Sequence, residues 1–97
     1  MPPKISSHNA QESNAIALQL IAFLVSDEER LERFSALSGM GLGDMKSGAE
    51  DPIFLGFMLD YALQDESLIM AFCDHHEISP QTIALARRQL PGANDDF

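Results

Sequence analysis

The segment DPIFLGFMLDYAL, residues 51–63, determines the predicted fold class of this chain. Asp51 followed by Pro52 is typical of a helix start, because an Asp side chain accepts free backbone N–H groups and Pro lacks one. The residues up to Leu63 are apolar on nearly every side of a helix. They predict a helix from Pro52 to Leu63 that lies in the centre of a protein core.

A second segment of the same kind precedes it. Residues 15–25, AIALQLIAFLV, are apolar apart from Gln19, and they predict a central, buried helix from about Glu12 to Val25. The next helix along the chain has a single apolar stripe, which predicts a surface helix packed by one face. That stripe consists of Leu31, Phe34 and Leu37.

Residues typical of helix ends delimit the remaining helices. Ser26-Asp27-Glu28-Glu29 is typical of a capping box with Ser26 as the N-cap, and Gly39 suits the left-handed residue that ends a helix. No segment alternates with period two, so no strand is predicted. The predicted fold class is all-α, a compact bundle of five to six short helices. They lie at about residues 12–25, 27–38, 52–63, 66–76 and 80–90, with a short helical turn at 44–47.

The two halves of the chain align when Asp27 is superposed on Asp65. The same register pairs Phe34 with Phe72, so both halves have an acidic residue followed at equal spacing by Phe. Fixed-period similarity is the signature of repeat architecture, and it favours two pseudo-repeated three-helix units. Any two amphipathic helices align in part, so chance similarity remains the alternative.

Composition and charge narrow the class of protein. The chain has 97 residues, enough for one domain, with 15 Asp and Glu against 6 Lys and Arg and a formal net charge of −9. This charge disfavours nonspecific nucleic-acid binding and binding to anionic membranes, both of which need surplus basic side chains. A single Cys cannot form an internal disulfide.

The apolar run at residues 15–25 is too short to span a bilayer, which takes about 20 helical residues. A signal peptide is the alternative, since Lys4 precedes the run, but acidic residues follow it instead of a small-residue cleavage site. We therefore expect a cytoplasmic protein with no membrane association. The expected organisation is a flexible tail at 1–11, a helical domain at 12–91 and an acidic tail at 92–97.

Three stretches carry a family resemblance: FLVSDEERLERF at residues 23–34, DPIFL at 51–55 and SPQTIALARRQLPG at 79–92. They resemble a family of short alphaproteobacterial proteins of unknown function, DUF3572. The resemblance extends over about residues 15–92 and implies a small helical cytoplasmic protein of bacteria. It implies no activity, cofactor or catalytic residue. Members of the family commonly end the fifth helix with Gly, where this chain has Glu77.

Two short motifs could carry chemistry, and the sequence argues against each. Cys73 and His76 share a helix face, but a structural zinc site needs four ligands and the other candidates are His75 and the distant His8. A Cys–His catalytic pair would need further support that the sequence does not offer. The glycines at residues 39–43 lack the preceding strand and following Lys of a phosphate-binding loop. We predict no catalytic, cofactor-binding or metal-binding residue.

Acidic residues start two of the helices, at Asp27-Glu28-Glu29 and at Asp65-Glu66. The helix dipole accounts for negative charge there without a metal or a partner. We expect Arg30 and Arg33 to pair locally with neighbouring glutamates of the same helix.

Residues 71–90 also have the pattern of a helix-turn-helix, in which two short helices meet at a tight turn. The DNA-contacting side chains would then be Gln81, Thr82, Arg87 and Arg88 on an exposed face. The net charge and the acidic residues at the turn oppose this hypothesis.

The leading hypothesis is a small non-catalytic cytoplasmic module that binds an unidentified partner protein through an apolar face. Adaptable methionines, Met40, Met45, Met58 and Met70, could contribute to such a surface or fill gaps in the core. The alternative is a helix-turn-helix DNA-binding regulator.

Overall fold

A computed structural model describes residues 10–91, and no β-strand occurs among them. The predicted all-α fold is therefore confirmed. The predicted terminal tails lie outside the described residues, apart from residues 10 and 11, which belong to the first helix. The six helices are α1 (Ala10–Val25), α2 (Glu28–Ser38), α3 (Leu42–Gly48), α4 (Pro52–Leu63), α5 (Glu66–His76) and α6 (Pro80–Arg88).

Helix α4 lies at the centre of the bundle, as its sequence predicts. It packs against α1, α3, α5 and α6, so four neighbours remove most of its apolar surface from water. Its fully buried side chains include Leu55, Met58, Leu59 and Ala62. Between residues 10 and 91, no helix combines the length and apolar character that crossing a membrane requires.

Helix α1 is buried on one side only, and the prediction of a helix buried all round is wrong here. Ala17, Leu20 and Leu24 are buried against α4, α2 and α6. Leu18 and Ala22 lie on the other side and are exposed. In a chain this small, the neighbours of α1 leave one of its faces in contact with solvent.

The helix caps are formed mostly by the predicted residues. Asp51, Asp65 and Ser79 each accept a backbone N–H at the start of their helix, and Gly39 ends α2 in the left-handed conformation. The N-cap of α2 is Asp27 instead of Ser26, because its carboxylate is the stronger acceptor. It accepts N–H groups from Glu29 at 2.9 Å and Arg30 at 3.3 Å. The Ser26 hydroxyl instead donates to the Phe23 carbonyl of α1 at 2.8 Å.

Helix α3 is longer than the predicted turn at residues 44–47. The Asp44 carboxylate accepts the Gly41 N–H at 2.9 Å, which lets the helix start at Leu42. Helix α1 likewise begins at Ala10, two residues before its predicted start.

The two halves of the structure correspond in the register that places Asp27 on Asp65. Helices α2 and α5 have the same length and occupy equivalent positions in this register, and α1 and α4 end at the equivalent residues Val25 and Leu63. Each half of the structure supplies an aromatic ring that packs against a Phe of the other half. Phe34 meets the ring of Tyr61 edge-on at 4.9 Å, and its counterpart Phe72 meets Phe23 edge-on at 5.4 Å.

Helix α6 is fastened to α4 by Arg87. The Arg87 Nε donates to Asp60 Oδ1 at 2.7 Å, and Nη1 donates to the carbonyls of Leu90 and Pro91 at 3.2 Å each. Gly56 leaves room for the guanidinium, because a Cβ at that position would lie 3.0 Å from Arg87 Nη1. The side chain therefore joins α4 to the end of the described chain.

Candidate functional site

An open groove lies between α2 and α4 and extends to the start of α5. Its volume is about 750 Å³, and we refer to it as the Leu37 groove. The lining residues are Arg33, Leu37, Ser38, Met40, Phe57, Asp60, Tyr61, Gln64, Asp65, Glu66 and Ser67.

Leu37 is the groove residue whose burial the sequence pattern predicts wrongly. It belongs to the predicted packed stripe of α2, yet 64% of its surface is exposed. Within that stripe Phe34 is fully buried and Leu31 is partly buried. Helix α2 packs on α1, and no helix of the described residues covers Leu37 in the last turn of α2. The sequence pattern alone does not report where a neighbouring helix ends.

The apolar wall of the groove is held in place by the core beneath it. The ring of the buried Phe34 contacts Tyr61 edge-on and lies 6.5 Å from the Phe57 ring. Phe57 and Tyr61 are both half-buried, so one side of each residue packs inward and the rest is accessible. This packing fixes the wall before any ligand arrives, which lowers the entropy cost of binding.

The polar rim of the groove is acidic. Arg33 Nε contacts Asp65 Oδ2 at 3.2 Å, which joins α2 to the N-cap of α5 instead of to the neighbouring glutamates of its own helix. Asp60 holds Arg87, but its side chain remains 46% exposed. Glu66 is exposed in the first turn of α5. Three carboxylates and one guanidinium thus border the groove.

Tyr61 lies at the junction of this groove with a smaller one of about 340 Å³, lined in part by Leu24, Arg30 and Leu68. Burial raises the pKa of the Tyr61 hydroxyl, and the Asp65 carboxylate raises that pKa further. Arg33 opposes both effects through its charge and a hydrogen bond. Tyr61 is therefore a neutral hydroxyl at physiological pH, available as a donor beside an apolar wall.

A third groove, of about 430 Å³, occupies the corresponding place in the other half of the molecule. Four of its residues correspond to residues of the Leu37 groove in the register that places Asp27 on Asp65. The pairs are Phe23 with Tyr61, Ser26 with Gln64, Ala71 with Arg33, and His75 with Leu37. Here the Arg30 guanidinium lies over the Phe23 ring, 4.3 Å from its centroid. Asp27 holds Arg30 in this position at 3.1 Å.

The residues considered for metal or thiol chemistry lie near the end of α5, where His75 is exposed and His76 is partly buried beside Phe72. Cys73 is buried, and burial raises the pKa of its thiol, which opposes formation of a nucleophilic thiolate. His76 lies 4.6 Å from the Phe72 ring centroid and His75 lies 4.9 Å from His76. In residues 10–91 no three His, Cys, Asp or Glu side chains converge as a metal site would require. His8 lies outside the described residues.

The helix-turn-helix residues divide into two groups. Gln81 and Arg88 are exposed on α6, and Thr82 is half-buried beside Ser79. The placement of Arg87 on the exposed face is wrong, because the residue is only 7% exposed. Its guanidinium donates hydrogen bonds to Asp60 and to two backbone carbonyls. DNA contact by Gln81, Thr82 and Arg88 remains a prediction.

The methionines also divide between core and surface. Met45 and Met58 are buried and fill the core, whereas Met70 is exposed on α5. Met40 is partly buried and lines the Leu37 groove, so it is the methionine that contributes to that surface.

The fold and the groove together define a class, an acidic all-α protein whose described residues form six helices and an apolar groove with an acidic rim. A sequence model of the family described as "Protein of unknown function (DUF3572)" matches residues 10–93, and the chain belongs to that family. No curated protein and no solved structure matches the chain.

Proposed function

We propose that the chain is a small non-catalytic protein-interaction module of the bacterial cytoplasm, and that a partner protein docks in the Leu37 groove. The observation that carries this proposal is the exposure of Leu37 beside Phe57 and Tyr61. A Leu with 64% of its surface in water, next to a fixed aromatic wall, is stabilised when a partner covers it.

The chemistry of the described residues supports a binding role over catalysis. The one thiol is buried with a raised pKa, and the Tyr61 hydroxyl also has a raised pKa. Neither shift favours the deprotonated form that a nucleophile or a general base would need at neutral pH. The Leu37 groove is open along one side, which suits a partner surface better than an enclosed substrate.

The test compares two substitutions at residues of equal exposure. Leu37→Glu places a charge in the groove, and Ile53→Glu places one at an apolar residue that is 66% exposed and lies outside it. Each variant is tagged, expressed in the source cell and purified with and without nuclease, after circular dichroism has shown that it is folded. We expect one stoichiometric protein with the wild type and Ile53→Glu, reduced at least about tenfold with Leu37→Glu.

Two outcomes would overturn the proposal. One is a partner that is retained equally by Leu37→Glu. The other is recovery of DNA that disappears with nuclease, which would favour the helix-turn-helix alternative on α6.

A further inference from the structure

We propose that the occupant of the Leu37 groove is an amphipathic helix of a partner protein, with an apolar stripe on one side and Arg or Lys beside it. This inference rests on the proposed function, and it adds the chemical class of the partner segment.

The architecture around the groove favours a helix as the occupant. An extended peptide commonly binds by adding a strand to a sheet edge, and residues 10–91 contain no strand to extend. The groove instead runs between two helices, α2 and α4, as in complexes where a helix lies in a groove. Its volume of about 750 Å³ accommodates several large side chains from one helix face.

The apolar part of the groove accounts for the apolar stripe. Leu37 and Met40 come from α2 and its end, and Phe57 and Tyr61 face them from α4. Side chains at positions i, i+3 or i+4, and i+7 of an incoming helix form a stripe that can lie between two such walls.

The charges on the rim account for the basic flank. Asp60 and Glu66 both line the groove, and the Asp60 side chain stays 46% exposed although it already binds Arg87. The chain as a whole has a formal net charge of −9. A basic segment would be attracted by this charge, whereas an acidic segment would be repelled.

The other half of the molecule shows how a cation fits this kind of groove. Phe23, the counterpart of Tyr61, has the guanidinium of Arg30 over its ring at 4.3 Å. The counterpart of Arg30 in the second half is Leu68, which is buried and uncharged. The place of Arg30 is thus taken by an apolar side chain in the second half, and the contact at Phe23 shows that a guanidinium packs on an aromatic ring in this type of groove.

The experiment selects binders from a display library of random peptides of about 14 residues, roughly four helical turns. The bait is the purified full chain, and peptides that also bind Leu37→Glu are removed. We expect enriched sequences with net positive charge and an apolar stripe at helical spacing. Neutral or acidic sequences, proline-rich sequences, or no enrichment that depends on Leu37 would each overturn the inference.

A second measurement tests the charge on the rim. The affinity of an enriched peptide is measured for Glu66→Lys and for Glu28→Lys, which has the same place in the first turn of α2 and lies outside the groove. We expect Glu66→Lys to weaken binding about fivefold and Glu28→Lys to change it less than about twofold. Equal effects of the two variants would contradict an acidic rim as the basis of recognition.

These tests separate the inference from the proposed function. A native partner that depends on Leu37 but docks through an acidic or non-helical segment would leave the interaction module intact and overturn the basic helix. A concentration-dependent dimer of the purified chain that Leu37→Glu abolishes would identify a second copy as the occupant and would also overturn it. Failure of the partner purification, with helical binders still enriched, would instead contradict the proposed function.

Discussion

Gly39 and Glu77 end α2 and α5 in the same left-handed backbone conformation, with φ angles of 79° and 56°. The two residues correspond in the register that places Asp27 on Asp65, and each ends its helix in the same backbone conformation. At Glu77 the turn is closed by the Ile78 N–H, which donates to the Cys73 carbonyl at 3.0 Å. A Glu side chain tolerates this conformation poorly, because its Cβ approaches the following carbonyl oxygen.

Glu77→Gly should therefore stabilise the protein. The substitution removes the left-handed strain but raises the conformational entropy of the unfolded chain, which offsets part of the gain. We therefore expect the free energy of unfolding to rise by about 0.5–1 kcal/mol. Chemical denaturation at neutral pH measures it. Gly39→Ala is the matched control at the corresponding turn, and we expect it to lose about 1 kcal/mol. A loss of stability in Glu77→Gly would show that the Glu side chain compensates the strain.

Arg87→Met should destabilise the protein by about 2–3 kcal/mol, because it leaves Asp60 without its cation and two carbonyls without a donor. Arg88→Met on the same helix removes an exposed charge and should change the free energy of unfolding by less than about 0.5 kcal/mol. Thermal and chemical denaturation of both variants test this difference. Equal stabilities would mean that the buried guanidinium contributes no more than a surface charge.

Gly56→Ala tests the same contact from α4. The added Cβ would lie 3.0 Å from Arg87 Nη1 and 3.1 Å from the Pro91 carbonyl oxygen. We expect a loss of about 1–2 kcal/mol in the wild-type background and a smaller loss in Arg87→Met, where the guanidinium is gone. Additive losses in the double variant would contradict direct contact between residues 56 and 87.

The pKa of Tyr61 predicts how stability depends on alkaline pH. The folded state raises the pKa of this hydroxyl, so above the ordinary value of about 10 the unfolded chain releases a proton that the folded chain retains. The free energy of unfolding therefore falls as the pH rises through this range. Tyr61→Phe removes the titrating group and should give a shallower fall between about pH 9.5 and 11. Identical slopes for the two proteins would refute the shift.

The thiol of Cys73 should react slowly with a soluble disulfide reagent. Burial raises its pKa and restricts access, so at about pH 8 we expect labelling at least tenfold slower than in denaturant. A variant that combines Cys73→Ser with Ser35→Cys moves the thiol to the corresponding position of α2, which is half-buried. That variant should react faster than the wild type. Equal rates would indicate that α5 opens as readily as α2.

The helices were predictable from sequence because their ends depend on neighbours in the chain. Asp51, Asp65 and Ser79 accept N–H groups two or three residues ahead, and Gly39 needs only its own φ angle. The choice between Ser26 and Asp27 was harder, because from sequence either of these adjacent side chains can accept the first N–H groups of α2. In the structure Asp27 accepts them and the Ser26 hydroxyl donates to the Phe23 carbonyl.

The candidate site was less predictable because it depends on tertiary packing. Leu37 has the spacing of a core residue, and only the placement of α1 and α4 shows that no helix of the described chain covers it. Arg87 has the composition of a surface residue, and only the distant Asp60 gives it a reason to be buried. In both cases the local pattern disagrees with the structure, as expected where surface function or long-range contacts decide the outcome.

The aromatic contacts between the two halves have a consequence for whether either half can fold alone. Phe34 needs Tyr61 from the second half and Phe72 needs Phe23 from the first, so neither half has a complete core alone. A chain cut between Ala49 and Glu50, in the link between α3 and α4, should yield two fragments that are unfolded separately and fold when mixed.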